Sequence, residues 1–519
     1  MNKKIAFFAA FLVLGTGGLL ALKFLKPRLD AKRLRATSDA KGMKGTITVG
    51  VDNWVGYFPL CSPEMKKRMR GAKYLLQCVD DEADYPGRMK KLARKELDFA
   101  VATVDSFLIN GAPESFPGAI VAVIDESKGG DAIVANQRKV KSIDDLKNVK
   151  GLRIAFTPNS PSEHLLKSVA VHFDIPLLRD KRGAWRVESR GSSEALEMLR
   201  AAKADAAVLW EPDVSRATAR KDMIKLLGTE NTRRLIVDIL LVNRDFLVNK
   251  PEAVKVLLAN YFRTLKTYRD DPELLRKELI LSAKLKTDQV DAMLKGVAWA
   301  TLYDNAATWF GIGTGSGLAD EGLVDTIEST VQILVENGDF AATPVPQGDP
   351  YQLQNRSFIE DLFKTGVSGQ FGAAAPADSS SLKKDFAPLQ PAAWNRLREV
   401  GTLKILPITF QSGTSDLDQD GKAELDKAAS HLRHYPNFRV VLKGHTGIKG
   451  DSGQNRLLSE ERAKSVQRYL TITHDIDDDR LRALGLGSSA PLPRKPGESS
   501  RAFNYRLPRV ELYLVAESL

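Results

Sequence analysis

The chain has 519 residues, of which 43% are hydrophobic and 27% charged, so it can form sizeable folded cores and is not a disordered polymer. Lysine and arginine (76) exceed aspartate and glutamate (65), and the formal charge of +11 permits an acidic partner without selecting one. With 2 cysteines and 6 histidines, cysteine-rich zinc modules and iron–sulfur ferredoxin patterns are excluded.

The first predicted element is an uncharged run from Ile5 to Leu22 that follows two lysines. As a helix it would be roughly 27 Å long, close to the hydrocarbon thickness of a bilayer. We expect residues 1–26 to form an uncleaved transmembrane anchor, and a cleaved signal peptide is the alternative. Basic residues after the run, such as Lys32 and Arg33, would by the positive-inside rule place the rest of the chain in the cytoplasm. We give more weight to the domains that follow, which are described below, and expect the opposite orientation.

Cys61 and Cys78 follow this export-like segment and are 17 positions apart. In an oxidising compartment such a pair forms a disulfide, and closing the loop would contribute roughly 3 kcal/mol on the chain-entropy model. We expect the disulfide, and two buried free thiols are the alternative.

Strand and helix signals alternate from Gly45 onwards, which predicts mostly parallel sheets with helices on both faces. The predicted strands are 46–51, 99–104, 119–124, 133–135 and 152–156, and the predicted helices include 162–172, 192–203 and 251–268.

Residues 366–381 are rich in Gly, Ala, Pro and Ser, which is typical of a flexible linker, and we extend this linker to residue 400. A second compact unit is predicted over residues 401–519. Its predicted elements are a strand at 405–410, a helix at 420–433, a strand at 438–442, a helix at 459–470 and a strand at 510–515.

Several segments of the first unit occur in a characteristic order. They are DESKGGD at 125–131, IDDL at 143–146, GLRIA at 151–155, SPSEH at 160–164 and ADAAVLWEP at 204–212. In these segments the chain resembles periplasmic solute-binding proteins of ABC transporters, in the branch that serves nitrate, taurine, alkanesulfonates and thiamine precursors. The resemblance implies that residues 44–365 form two α/β lobes joined by crossing strands, with a cleft that closes on a solute.

Polar and aromatic residues at the ends of the predicted strands are the candidate solute contacts. An aromatic ring after the first strand would wall the cleft, or it would pack in the core as an ordinary apolar side chain. The polar residues after the next strand would contact the solute, or they would form a strand-end turn. The candidates are Asn53, Trp54, Tyr57, Thr103, Asp105, Ser106, Trp210 and Glu211.

Residues 160–163, with the sequence SPSE, have the pattern of a helix start, with Ser160 as the N-cap. Backbone N–H groups at such a start would hold an anion, so we include Ser160, Ser162 and His164 among the solute contacts and expect a small anionic solute. A satisfied helix cap, with His164 at the surface of the first turn, is the alternative. Glu211 would be unfavourable beside an anion unless it bonds a cationic or neutral part of the solute.

Signatures of enzymes are missing from the sequence, including a catalytic triad motif, a P-loop and metal-spaced histidines or carboxylates. Thiamine-pyrimidine synthases share the expected fold, but they carry a cysteine-rich motif that this chain does not have. We therefore expect a binding protein, with no catalytic residues, no cofactor, no metal site and no nucleic-acid partner.

Four segments stand out in the C-terminal unit: ITFQSG at 408–413, GHTG at 444–447, NRLLSEERAKSV at 455–466 and GLG at 485–487. They resemble the OmpA-like peptidoglycan-binding domain, an α+β fold that grips the diaminopimelate of the wall stem peptide. The resemblance implies that Arg462 binds the ligand carboxylate and that Asn455 is the family asparagine. The family aspartate that binds the ammonium is replaced by Gly447, and we expect Asp451 to supply the missing carboxylate. A domain retained for a protein partner is the alternative.

Together these patterns predict a protein anchored in the inner membrane by an N-terminal helix and facing the periplasm. Its expected partners are a small solute, peptidoglycan and a permease of the ABC type. The alternatives are a tethered envelope sensor or scaffold without transport, and an enzyme of the thiamine-pyrimidine type.

Overall fold

The computed structural model describes residues 42–283, 286–313, 320–366, 386–411 and 413–517. The predicted anchor at 1–26 and most of the predicted linker, residues 367–385, lie outside this part of the chain. Among the described helices, none is both long and apolar enough to span a bilayer.

The described chain alternates strands and helices, as its periodicity predicts. The strands are β1 (Gly45–Val51), β2 (Tyr74–Asp80), β3 (Phe99–Thr103), β4 (Gly118–Ser127), β5 (Asp131–Asn136), β6 (Ile154–Phe156), β7 (Arg186–Glu188), β8 (Ala206–Trp210), β9 (Met223–Gly228), β10 (Val237–Asn243), β11 (Val297–Trp299), β12 (Arg398–Thr402), β13 (Arg439–His445), β14 (Leu481–Gly487) and β15 (Arg509–Ala516). The α-helices are Phe58–Cys61, Pro63–Gly71, Tyr85–Ala93, Val104–Gly111, Pro161–His172, Pro176–Arg179, Ser192–Arg200, Asp213–Thr218, Arg244–Asn249, Pro251–Asp270, Pro272–Ala283, Thr287–Lys295, Leu302–Asp304, Gly322–Glu336, Ser357–Gly366, Pro391–Trp394, Gln419–Arg433, Ser452–His474 and Ser500–Arg506.

Two sheets with helices packed on them form two lobes, which confirms the predicted two-lobed α/β architecture. The first sheet has the order β11-β4-β10-β3-β1-β2 and the second has the order β7-β6-β8-β5-β9. Strand β3 is buried along its whole length, as expected for a strand that is covered on both faces.

Within the described residues, consecutive strands lie in different lobes at two places, from β4 to β5 through residues 128–130 and from β9 to β10 through residues 229–236. After each crossing the incoming strand lies antiparallel to its neighbours: β5 to β8 and β9, and β10 to β3 and β4. The sheets are therefore mixed, and this departure from the expected parallel pattern follows from the crossings.

Cys61 and Cys78 are joined in a disulfide, with their Cα atoms 6.1 Å apart. The bond links the end of a short helix to β2, the edge strand of the first sheet.

The C-terminal unit is a four-stranded sheet of order β12-β15-β13-β14, with the helices Gln419–Arg433 and Ser452–His474 contacting each other and the second of them packed on β13 and β14. Two expectations are corrected here. The predicted strand at 405–410 does not form, because the edge position beside β15 is taken by β12. Residues 386–400, which were expected to belong to the linker, are folded. In this segment the rings of Phe386 and Trp394 are buried under the guanidinium of Arg439, at 5.0 and 5.4 Å.

The C-terminal unit and the second lobe share one apolar cluster, in which the rings of Phe173 and Tyr435 lie 5.5 Å apart. Backbone hydrogen bonds cross the same boundary, from the Ile143 N–H to the Val400 carbonyl (2.8 Å) and from the Lys404 N–H to the His172 carbonyl (2.7 Å). The C-terminal unit is therefore docked on the second lobe.

Candidate functional site

A cleft lies between the two lobes, and the space among its lining residues, part of it open to solvent, is about 360 Å³. The first lobe and its crossing strand contribute Asp52, Trp54, Tyr57, Tyr85, Thr103, Ile236 and Asp238, and the second lobe contributes Asp131, Pro161 and Trp210.

The register of the first sheet explains why polar side chains meet at this cleft. Thr103, at the end of β3, lies opposite Asp238 of β10, which in turn lies opposite Asp125 of β4. Asp52 directly follows the end of β1. The carboxyl ends of β1 and β3 therefore deliver side chains to one edge, which is where open α/β sheets bind ligands.

The second lobe faces this edge with one carboxylate and one aromatic ring. Asp131, the first residue of β5, lies opposite Trp210, the last residue of β8. Asp131 is buried, and its carboxylate accepts a hydrogen bond from the Ser127 hydroxyl at 2.7 Å.

The aromatic walls are tied to the carboxylates beneath them. The Trp54 indole N–H donates to Asp125 Oδ1 at 3.3 Å, and the Tyr57 hydroxyl donates to Asp238 Oδ1. These hydrogen bonds fix the positions of both rings relative to the first sheet.

Burial governs the ionisation of the carboxyl groups. It raises the pKa of Asp105 to about 6 and that of Asp131 to about 7, where the nearby Asp105 and Glu211 charges raise the value further. Burial also raises the pKa of Asp125 and of Asp238, and the negative charge of Asp125 adds to the rise at Asp238. Desolvation makes an ionised carboxylate expensive in such surroundings.

Arg88 is the guanidinium behind the cleft, and its side chain is fully buried. It donates to Asp52 Oδ2 at 2.9 Å, to both carboxyl oxygens of Asp81, and to the carbonyl of Val101 at 3.0 Å. Arg88 is therefore committed to groups of the protein, and two carboxylates already share its charge.

The predicted contacts divide into two groups. Trp54, Tyr57, Thr103 and Trp210 line the cleft, whereas Asn53 is exposed and does not.

Three further candidates have structural roles or lie outside the lining. Ser106 closes a capping box with Thr103, and Glu211 accepts hydrogen bonds from the N–H and hydroxyl of Ser215. Asp105 is buried near the cleft, and its carboxyl oxygens have no hydrogen-bond partner of normal geometry among the described residues.

The helix start at Ser160 is built as a cap. The Ser160 hydroxyl donates to the Thr157 carbonyl at 2.7 Å and accepts from the Ser162 N–H at 3.2 Å, and Pro161 is the residue of this turn that lines the cleft. His164 is fully buried rather than at the surface, and burial together with the Lys167 charge lowers its pKa to about 3. The geometry favours the capping interpretation of this turn.

Asp52, Tyr85, Asp131 and Asp238 line the cleft but were not singled out from the sequence. Asp52 directly follows a predicted strand and Asp131 ends the DESKGGD segment, so both carried a signal. Asp238 begins a strand after the second crossing, and its place depends on pairing with β3 and β4. Among the described residues, no group of three or more His, Cys, Asp or Glu could hold a metal ion.

The second candidate site lies on the C-terminal unit. The Arg462 guanidinium is half-buried, lies 4.9 Å from the Phe410 ring and donates through Nε to the Thr414 carbonyl at 3.1 Å. The exposed Asp451 caps the long helix by accepting from the Gln454 N–H at 2.9 Å.

Two further positions complete this second site. Asn455 donates to the Lys449 carbonyl at 3.0 Å, which ties it to the loop before its helix. A Cβ atom added to Gly447 would meet nothing within 4 Å, so this position has room for a side chain.

Residues 409–505 match the OmpA family, so the C-terminal unit is an OmpA domain. Outer membrane porin F of Pseudomonas aeruginosa is 28% identical over 102 residues, which are 20% of this chain and 29% of that protein. The peptidoglycan-associated lipoprotein of the same organism is 34% identical over 109 residues, which are 21% of this chain and 64% of that protein. The chain thus spans less than two thirds of either relative.

The two lobes are similar to the periplasmic sulfonate-binding protein SsuA from Methylobacillus flagellatus KT, at a TM-score of 0.48 and 15% identity. The match covers 64% of this chain and 97% of that one.

Proposed function

We propose that this protein is a cell-envelope binding protein that captures a small solute between its lobes and associates with peptidoglycan through its OmpA domain. The observation that carries the first half is the cleft itself, because both lobes contribute side chains to one shared space. Two crossing segments join the lobes, and motion about such segments closes a cleft on its ligand.

We propose that the solute is not the anion that the sequence predicts. The described residues that line the cleft include three aspartates and no lysine, arginine or histidine. The Ser160 turn, on which that expectation depended, uses its hydroxyl in capping. An anion would meet buried carboxylates without a counter-charge, which is unfavourable.

A solute screen by thermal shift on the full chain tests the capture. A ligand that binds only the native state raises the apparent melting temperature. We expect at least one small solute to do so and Trp210→Ala to abolish the shift, because the half-exposed Trp210 ring walls the cleft. A shift that persists in Trp210→Ala would place the solute elsewhere.

Association with peptidoglycan is supported by the OmpA domain and by the half-buried Arg462, whose guanidinium is positioned by Phe410 and Thr414. We expect Arg462→Ala to reduce the amount of full chain that sediments with purified sacculi. The matched control is Arg433→Ala, which removes an exposed arginine of the same domain. Equal loss in both variants would mean that general positive charge holds the chain to the wall.

For the downstream role we propose a tethered receptor in the inner membrane that faces the periplasm. The sequence predicts delivery to an ABC permease, but docking of the OmpA domain on the second lobe favours sensing. Uptake of the solute found in the screen distinguishes these roles, because transport requires that deletion of this chain slow its uptake.

The proposed topology has its own test. A reporter fused after Leu519 should be active in the periplasm, and cytoplasmic activity would overturn the proposed topology.

A further inference from the structure

We infer that the solute of the interlobe cleft is a small organic cation, an amine or a quaternary ammonium, held among carboxylates and aromatic rings. This inference rests on the proposed solute-binding function and names the chemical class of its ligand.

The first step is the charge of the site. Asp131 and Asp238 line the cleft from opposite lobes, and Asp52 lies on the same wall as Asp238. The Arg88 guanidinium neutralises part of this charge, but it is shared between Asp52 and Asp81. Asp131 and Asp238 are left without a cationic partner among the described residues, and their described hydrogen-bond donors are the hydroxyls of Ser127 and Tyr57.

The carboxyls behind the cleft are also uncompensated. Asp125 Oδ2 and both carboxyl oxygens of Asp105 are buried, and no hydrogen bond of normal geometry reaches these oxygens from the described residues. The ammonium of Lys167 is the cation that acts on Asp105, but it is bound by Asp339 at 3.1 Å. Keeping a buried carboxyl ionised is costly, which is why burial raises the pKa of these groups, and a bound cation would offset that cost.

The second step is the wall of the cleft. Four aromatic side chains line it, Trp54, Tyr57 and Tyr85 from the first lobe and Trp210 from the second. Aromatic rings attract organic cations through their quadrupoles, and tryptophan does so most strongly. Rings do not replace the oxygen ligands that a bare Mg²⁺ or Ca²⁺ ion requires. The pairing of carboxylates with rings therefore selects an organic ammonium over a metal ion.

The test compares three probes that share one carbon chain: butylammonium, butan-1-ol and butane-1-sulfonate. Binding of each to the full chain is measured by calorimetry at pH 8, where Asp131 is ionised. We expect butylammonium to bind at least about tenfold more tightly than butan-1-ol, and butane-1-sulfonate to bind most weakly.

Two isosteric variants make the test specific. Asp131→Asn and Asp238→Asn keep an oxygen that accepts from Ser127 and Tyr57, so the local hydrogen bonds can persist. Each variant should lose most of the preference for butylammonium, whereas Glu197→Gln, an exposed carboxylate of the second lobe, should keep it. Melting temperatures at or above the parent value show that the variants are folded.

The outcomes separate the two proposals. Tighter binding of the sulfonate would overturn the assigned charge and leave solute capture standing. Equal binding of the alcohol and the ammonium, or a preference unchanged in both aspartate variants, would also overturn the charge class. If none of the probes binds at about 100 mM, the charge class is overturned, and the thermal-shift screen decides separately whether the cleft captures a small solute.

Discussion

Acidification should loosen the contact between the OmpA domain and the second lobe. His172 of the lobe lies in this contact between His431 and His434 of the OmpA domain, with ring centroids 5.0 and 5.3 Å away. The Tyr435 hydroxyl is 2.8 Å from His172 Nδ1. Burial lowers the pKa of all three histidines, and for His434 the value falls to about 4.

The sign follows from proton binding. An unfolded histidine has a pKa of about 6.5, so below this pH the unfolded state binds more protons than the folded state. Stability contributed by neutral His434 is therefore full above pH 6.5 and is lost as pH falls towards its folded pKa of about 4. For this one side chain the loss between pH 7 and pH 5 is about 2 kcal/mol.

Hydrogen exchange of the Gln419–Arg433 helix and of the loop after it at pH 7 and pH 5 measures this contact locally. Local measurement is needed because the cleft carboxyls act with the opposite sign on global stability. His434→Gln should reduce the pH dependence of protection, once intrinsic exchange rates are corrected, whereas Lys422→Gln, which changes an exposed side chain of the same helix, should not. Equal pH dependence in the parent and in His434→Gln would refute the reasoning.

Three further changes have definite expectations. Gly447→Asp should strengthen sacculus binding, because a charge-assisted hydrogen bond contributes roughly 1.5–3 kcal/mol and the position is open, and unchanged binding would mean that Asp451 already supplies the charge. Replacing Cys61 and Cys78 by alanine should lower the free energy of unfolding by roughly 3 kcal/mol in urea titrations, and no loss would rule out a stabilising bridge. Asp131→Asn should raise the melting temperature of the solute-free chain at pH 8. The pKa of Asp131 is about 7 in the folded state and about 4 in the unfolded state, so the folded chain loses stability as pH rises from about 4 through 7. The same dependence of melting temperature on pH in the parent and in Asp131→Asn would contradict this reasoning.

Local signals predicted the fold well. Alternating apolar runs located β1, β3 and β4, and the SPSE segment marked the start of the Pro161–His172 helix to the residue. A helix cap forms between residues two or three positions apart, so a short stretch of sequence is enough to predict it. The β12 edge was missed because pairing with β15, more than one hundred residues later, overrides the apolar pattern at 405–410.

The charge of the cleft could not be predicted for a related reason. Asp238 and Asp125 are far apart in sequence, and their approach depends on β10 entering the first sheet after the second crossing. Asp131 comes from the other lobe. The helix start at Ser160 can be recognised from consecutive residues, and it suggested an anionic solute. The aspartates that disfavour an anion come together only when the chain folds.

The OmpA domain also touches the second crossing between the lobes, which couples the two proposed functions. The Asn437 amide donates to the Glu230 carbonyl at 2.6 Å, and the Arg233 N–H donates to the His434 carbonyl at 3.0 Å. Both crossing residues lie in the segment 229–236 that must adjust when the lobes move. Each hydrogen bond contributes about 0.5–1.5 kcal/mol, so Asn437→Ala should weaken solute binding by up to about tenfold if the docked domain supports the closed arrangement of the lobes. Asn395→Ala is the control, because that amide oxygen accepts from Arg482 within the domain, at 3.1 Å.

By reciprocity, muropeptides bound to the OmpA domain should then change solute affinity in the parent chain and change it less in Asn437→Ala. Identical affinities in the parent and both variants would show that the domain is only an anchor.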